Sequence, residues 1–336
     1  VTVKDCFGNP LPEHAFVIRH TELPQFLNCP REWFLSSHNG MNLEPRLTNP
    51  KLRFGTCWHK ALEEYYKNGF SLDEAIRGWQ EAMSEERDRI YQEIGEGLYD
   101  PDMVETLNQE DELGTNLLRH YVPWDQEENR KIGLRVQHVE RRLVVPIGDS
   151  IYLAAKLDGE VTDSAGDYWV LEHKSQGKSS RVDNPDNLVL DVQMGLQLIT
   201  LQIALNEETN IRGALYNLTR KQLPGPRVKA PVFGRHRVTR NKHELRNLYN
   251  YLKRNAHQMI SISENAGHFN TEEDASNLLN MIDYNPQMFG KCAWGCAFRE
   301  VCESANRGEN VNYLLESNFK RRERDIWQVL EEETNE

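Results

Sequence analysis

Apolar positions recur at helical spacing through most of the first third of the chain and give way to strand-like alternation near Gly133. Trp58, Leu62, Tyr65 and Tyr66 define a helix over Phe54–Asn68, which Gly69 closes. Ser71 caps a second, Leu72–Gly95, with Ile76, Trp79, Met83 and Ile90 as its apolar positions. A third is expected over Pro101–Tyr121, ending before Pro123. Ahead of these, Thr21 caps a short helix that delivers Cys29-Pro30. Leu134–Pro146 alternates as a strand. Two more strands, Tyr152–Val161 and Tyr168–Lys174, flank a small, polar, glycine-bearing turn at Asp163–Asp167. A helix follows over Asp186–Asn206, with Leu190, Met194, Leu198, Leu201 and Leu205 on one face. The pattern then predicts a strand over Arg212–Leu218, helices over Lys242–Ser261 and Thr271–Met281, and a charged helix after Phe319.

Strand pairs flanked by helices predict a mixed α/β (α+β) fold. No linker or internal repeat is visible, so the 336 residues read as one elaborated domain. Its parts are an N-terminal helical layer over 13–123, a sheet core over 133–262 and a C-terminal cysteine-bearing region over 263–336. No apolar run reaches the ~18–20 residues of a membrane span, and no secretory signal is visible.

A net charge of −12 excludes a uniformly basic coat, but the charge is unevenly spread. Between Ile211 and Arg246 there are ten lysines and arginines and one acid, Glu244. Arg220, Lys221, Arg235 and Arg237 in this belt, with Lys178 and Arg181 beyond the second hairpin strand, are candidates for tracking a phosphate backbone.

The candidate chemistry sits on the hairpin. Folding it about Ala165–Gly166 sets Asp158 opposite Glu172. Glu172 and Lys174 share one face of the strand and His173 takes the other. The runs before Asp158 and Glu172 are apolar, so these carboxylates are expected to be buried, and buried carboxylates need partners or a metal. Mg²⁺ is usually held by one or two carboxylates, which leaves room for a phosphate. Lys174 would then stabilise charge developing on phosphorus.

Asp158-Gly159-Glu160-Val161 followed by Val170-Leu171-Glu172-His173-Lys174-Ser175 resembles motifs II and III of the PD-(D/E)XK nucleases, in the RecB-type branch. Phe54-Gly55-Thr56-Cys57-Trp58-His59-Lys60-Ala61-Leu62-Glu63 is similar to that branch's motif I, in which a helix histidine joins the metal site. On the following helix either Gln193 or Gln197 matches the family's glutamine, although Leu201 stands where a tyrosine would follow Gln197. Cys292, Cys296 and Cys302 are spaced C-x3-C-x5-C, and Cys29 supplies a distant fourth thiol. This split set resembles the iron–sulfur RecB-type nucleases, including AddB-type subunits and CRISPR-associated RecB-like exonucleases, whose usual spacing is one residue shorter.

The resemblance implies a restriction-endonuclease-like core. It implies Mg²⁺ or Mn²⁺ held by His59, Asp158, Glu172 and the backbone carbonyl of His173, with Lys174 and one glutamine completing the catalytic set. It implies a 4Fe–4S cluster on the four cysteines, zinc being the alternative occupant. The expected activity is exonucleolytic hydrolysis of DNA single strands or ends, in recombination, repair or CRISPR-type processing. The sequence carries no G-x-x-x-x-G-K-S/T motor motif, which leaves a separate helicase or recombination protein as the expected partner. The expected location is the cytoplasm of a bacterial, archaeal or phage-infected cell. The rival expectation is a non-catalytic DNA-binding scaffold with a vestigial core.

Overall fold

The computed structural model describes residues 3–46, 50–95, 101–177, 185–205, 209–226, 228, 231–267 and 275–322. The chain opens with β1 (Phe16–Arg19), α1 (Glu22–Asn28), α2 (Pro30–Ser36) and β2 (Leu43–Pro45). Three long helices follow, α3 (Pro50–Lys67), α4 (Leu72–Gly95) and α5 (Pro101–Ile132). Next come β3 (Arg135–Gly148), β4 (Ile151–Thr162), β5 (Tyr168–Gln176), α6 (Val192–Ala204), β6 (Ile211–Arg220) and β7 (Phe233–Thr239). The remainder is α7 (Lys242–Ala266), α8 (Ala275–Asn280), α9 (Lys291–Trp294), α10 (Arg299–Asn306), α11 (Asn312–Asn318) and β8 (Phe319–Arg321). Among the described residues, no helix is long and apolar enough to cross a membrane.

Contacts divide the chain into two compact units. One comprises Val1–Arg46, Leu143–Ala155 and His243–Glu336; the other comprises Leu47–Arg142 and Lys156–Lys242. Each is assembled from separated segments, so neither coincides with the three successive parts expected from the sequence.

The unit built from Leu47–Arg142 and Lys156–Lys242 holds a mixed sheet flanked by helices. The second half of β4 pairs antiparallel with β5 (Gly159↔Leu171), β5 runs parallel to β6 (Leu171↔Leu215), and β6 is antiparallel to β7 (Leu215↔Arg237). In α3, Phe54, Cys57, Trp58, Ala61, Leu62, Tyr65 and Tyr66 form a stripe three or four residues apart, and all are buried. They share a core with Trp79, Leu117 and Tyr121 of α4 and α5 and with Val161, Trp169, Leu171 and Leu215 of the sheet. At Gly114 of α5 a Cβ would fall 2.0 Å from the Trp79 ring, so only glycine admits this approach.

Two helix expectations are corrected here. α5 does not end before Pro123 but continues to Ile132. Just beyond the proline, buried Asp125 accepts from Tyr65, Tyr66, Tyr121, Asn129 and Asn217 and pairs with Arg235. This saturated network anchors the second half of the helix against the hydrogen bond that proline removes. The stretch expected as one helix over Asp186–Asn206 is broken at Asp191. Pro185–Leu190 is a 3-10 turn, and α6 starts after Asp191, whose side chain accepts from Met194 N–H. An aspartate there satisfies an open helix-end donor better as a cap than it would within a helix.

The other unit contains β1, parallel to the first half of β4 (Phe16↔Ile151). α1 and α2 meet at Cys29, which ends one helix and caps the next. The buried Arg31 guanidinium of α2 donates to Ile282 O and Asn306 Oδ1, tying this N-terminal hairpin to the C-terminal helices. Where a charged helix was expected after Phe319, the chain instead forms β8, antiparallel to β2 (Leu43↔Arg321). Phe319 stacks on Phe298 with ring centroids 4.6 Å apart, an anchor that favours the extended course. The remainder of the expected helix, 323–336, lies outside the described residues.

Candidate active site

The β4–β5 pairing runs as far as Gly159↔Leu171, and Asp158 and Glu172 each stand one residue beyond that pair. His59, one position off the apolar stripe of α3, reaches the same point: its Nδ1 lies 3.3 Å from Asp158 Oδ1. The other Asp158 oxygen accepts from the His173 backbone N–H at 2.8 Å. Glu140 of β3 joins them with its side chain 8% exposed, paired with Lys156. Its backbone is left-handed, φ 54°, which is uncommon for a non-glycine residue within a strand. Among the described residues, His59, Glu140 and Asp158 form one group whose ligand atoms all lie within 4.8 Å of one another.

Glu172 faces the α6 side. Its Oε1 lies 3.4 Å from Lys174 Nζ, and its Oε2 accepts from Gln197 Nε2 at 3.3 Å. Gln197, buried on α6, also donates to Lys156 O at 3.2 Å and so ties β4 to the Glu172 carboxylate. Lys174 Nζ lies 2.8 Å from Asp191 Oδ2 and 5.7 Å above the centre of the Tyr216 ring. The Tyr216 hydroxyl donates to the same Asp191 oxygen at 3.1 Å.

The electrostatics are those of a site with an excess of negative charge. Burial and the charge on Asp158 push Glu172 up to about 7 and raise Glu140 as well. Burial opposes charge on Asp158 too, yet His59 and His173 hold its carboxyl well below the usual carboxylate range. His59 is disfavoured as a cation by burial, but Asp158, Glu172 and Glu140 outweigh that and push it up to about 9. Burial likewise opposes the Lys174 charge, and Glu172 and Asp191 more than restore it. Such convergence of carboxylates with an imidazole suits a hard divalent cation, which would relieve their mutual repulsion.

The family model for the PD-(D/E)XK nuclease superfamily matches residues 19–303, most of the chain. The chain belongs to that superfamily. No curated protein matches it by sequence. Nucleases of the PD-(D/E)XK superfamily use divalent metals, and the donor set around Asp158 fits one.

In this PD-(D/E)XK chain the expected His59, Asp158, Glu172, Lys174 and Gln197 are brought together. Of the two glutamines, Gln197 bonds Glu172, while Gln193 sits one turn earlier on α6. The His173 ring is buried away from the carboxylates against Tyr66, centroids 5.3 Å apart, and burial pushes it down to about 3. Two members of the basic belt are corrected. Arg235 is turned inward, with its guanidinium bonded to Asp125, Asn129 and Asn217, and Arg220 is buried at the end of β6. Arg235 and Arg237 share a face of β7, and it is the Asp125 network that draws the first of them inward. Arg237 remains exposed over the Trp169 ring, and Lys221 lies over Phe54. Lys178 and Arg181 lie outside the described residues.

Two site residues escaped sequence reasoning. Asp191 had a usable signal, an aspartate immediately before an apolar helical run. Glu140 had none, because its approach depends on a local backbone twist within β3.

A second cluster lies in the unit that holds both chain ends. Cys29, Cys292, Cys296 and Cys302 line one cavity of about 450 Å³, together with Glu32, Tyr284 and Lys291. All four are free thiols. Burial pushes Cys296 up to about 12, with Glu32 and the neighbouring cysteines adding to the effect. Thiolates are donors that a soft metal takes, and these four side chains line one cavity. Cys57 is instead buried in the α3 core, where burial and Glu86 push it up to about 12.

Proposed function

We propose that this PD-(D/E)XK protein is a metal-dependent deoxyribonuclease that hydrolyses phosphodiester bonds. The observation that carries the reading is the convergence of His59, Asp158, Glu172 and Lys174 on one hairpin edge, with Asp158 3.3 Å from His59 and Lys174 3.4 Å from Glu172. His59, Asp158 and Glu172 would hold Mg²⁺ or Mn²⁺, with Glu140 as a further carboxylate and the His173 carbonyl as the ligand the family resemblance adds. The bound cation supplies Lewis-acid polarisation of the scissile phosphate. Lys174 orients the attacking water through its ammonium donors and stabilises negative charge developing on the phosphoryl oxygens. Gln197 fixes the Glu172 carboxylate so that it faces the reacting centre in one orientation. Of the four belt candidates named above, Arg237 and Lys221 would meet the DNA backbone.

Exonucleolytic action on single strands or DNA ends, in recombination, repair or CRISPR-type processing beside a separate helicase or recombination protein, is the finer reading favoured by the RecB-type motifs. The four cysteines would hold a 4Fe–4S cluster that joins the N- and C-terminal segments of their unit.

The test is cleavage of labelled single- and double-stranded DNA with Mg²⁺, with Mn²⁺ and with chelator. Lys174→Ala is expected to lower the metal-dependent rate by about a hundredfold or more while its melting curve stays cooperative. A folded wild-type chain that leaves DNA uncut with either metal would sink the assignment.

A further inference from the structure

Lys174 is held by more than the E-x-K motif, and its second partner comes from another element. Asp191 is fixed at three oxygen atoms. Its carbonyl accepts from Arg240 Nη2 at 2.6 Å, its Oδ1 accepts from Met194 N–H at 3.3 Å, and its Oδ2 accepts from the Tyr216 hydroxyl at 3.1 Å. What this clamped carboxylate holds in turn is Lys174 Nζ, 2.8 Å away and closer than Glu172 at 3.4 Å. The lysine side chain is 24% exposed, and the face of Tyr216 closes a third side of its ammonium.

From this geometry we infer that Asp191 is the positioning residue for Lys174. The inference rests on the nuclease reading above and extends it. When Glu172 gives its charge to a divalent cation it becomes a weaker partner for the lysine, and the cation itself repels the ammonium. Asp191 is then the carboxylate that keeps Lys174 directed at the water it orients. Because the same side chain caps α6, the helix that carries Gln197, it sets the two groups flanking Glu172 in one register. Tyr216 acts through Asp191, orienting the oxygen that faces the lysine.

Asparagine caps helices about as well as aspartate but carries no charge, so Asp191→Asn separates the two duties of this residue. Cleavage of a short labelled DNA with Mn²⁺ is measured for wild type, Asp191→Asn, Asp191→Ala and Lys174→Ala, together with melting curves and Mn²⁺ binding by calorimetry. The expected result for Asp191→Asn is a kcat about ten- to a hundredfold lower, with KM for DNA, Mn²⁺ affinity and melting temperature near wild type. Asp191→Ala is expected to match that kcat loss and, having lost the cap, to melt at a lower temperature. Asp191→Asn with wild-type kcat, or with its loss confined to KM or to melting temperature, overturns the positioning role while leaving the nuclease standing. An inactive wild type, or Lys174→Ala with full activity, overturns the nuclease reading and this inference with it.

Discussion

At the residue scale, what separates this site from an ordinary hairpin ion pair is the density of its carboxylates. Asp158 and Glu172 each lie one residue past the last β4–β5 pair, and Glu140 adds a third acid within ligand distance of His59 and Asp158. Burial and the Asp158 charge raise Glu140, so an added cation should draw it in as a ligand. Glu140→Gln is therefore expected to weaken Mn²⁺ binding about tenfold or more in calorimetry. Its fold should be unchanged, since its Lys156 partner is exposed and can be solvated. The D…E-x-K pattern was legible because strand alternation fixes where those side chains point, and His59 was legible through its likeness to the family's helix motif. Glu140 was not, since its place depends on a left-handed backbone step that no residue type in β3 announces. Arg235 shows the converse. A charged residue in a basic belt reads as surface, yet this one completes the Asp125 network inside the molecule.

At the element scale, the helices preceding the sheet were legible from their apolar stripes, and their ends were less so. Pro123 argued for a helix end, but Asp125 and its tyrosine donors hold the helix together beyond it. β7 went unread because Phe233–Thr239 carries three charged or titratable side chains among seven residues, which hides its alternation. The packing of α4 on α5 also rests on one residue. Gly114 meets the Trp79 ring, whose Nε1 donates to Asp111 on the same helix as the glycine. Gly114→Ala must push the ring or the helix aside and is expected to cost about 1–3 kcal/mol in urea unfolding. A variant as stable as wild type would mean that α4 and α5 can separate at this point without loss.

At the scale of the whole molecule, the net charge of −12 would by itself discourage a nucleic-acid reading. The superfamily match outweighs it. The cysteines also act at this scale, since Cys29 and Cys302 belong to distant stretches of sequence yet line one cavity. If they hold an iron–sulfur cluster, anaerobically purified protein will be brown and contain iron. Cys302→Ser will then lose colour and iron and melt at a lower temperature. Colourless wild-type protein carrying one zinc would replace the cluster with a structural zinc site. The four cysteines could be grouped from spacing and family likeness, whereas the cavity they share could not, because it depends on Arg31 bridging to Ile282 and Asn306.

The interleaving of the two compact units imposes a timetable on synthesis. Every segment of the unit bearing Asp158 has left the ribosome once Lys242 emerges. The other unit includes the earlier segment Val1–Arg46, yet its cavity cannot close until Cys292, Cys296 and Cys302 have emerged. During that interval Cys29 and the apolar faces of α1 and α2 lack their C-terminal partners. Closure of the cysteine cavity is thus a late event, set by the arrival of the C-terminal helices.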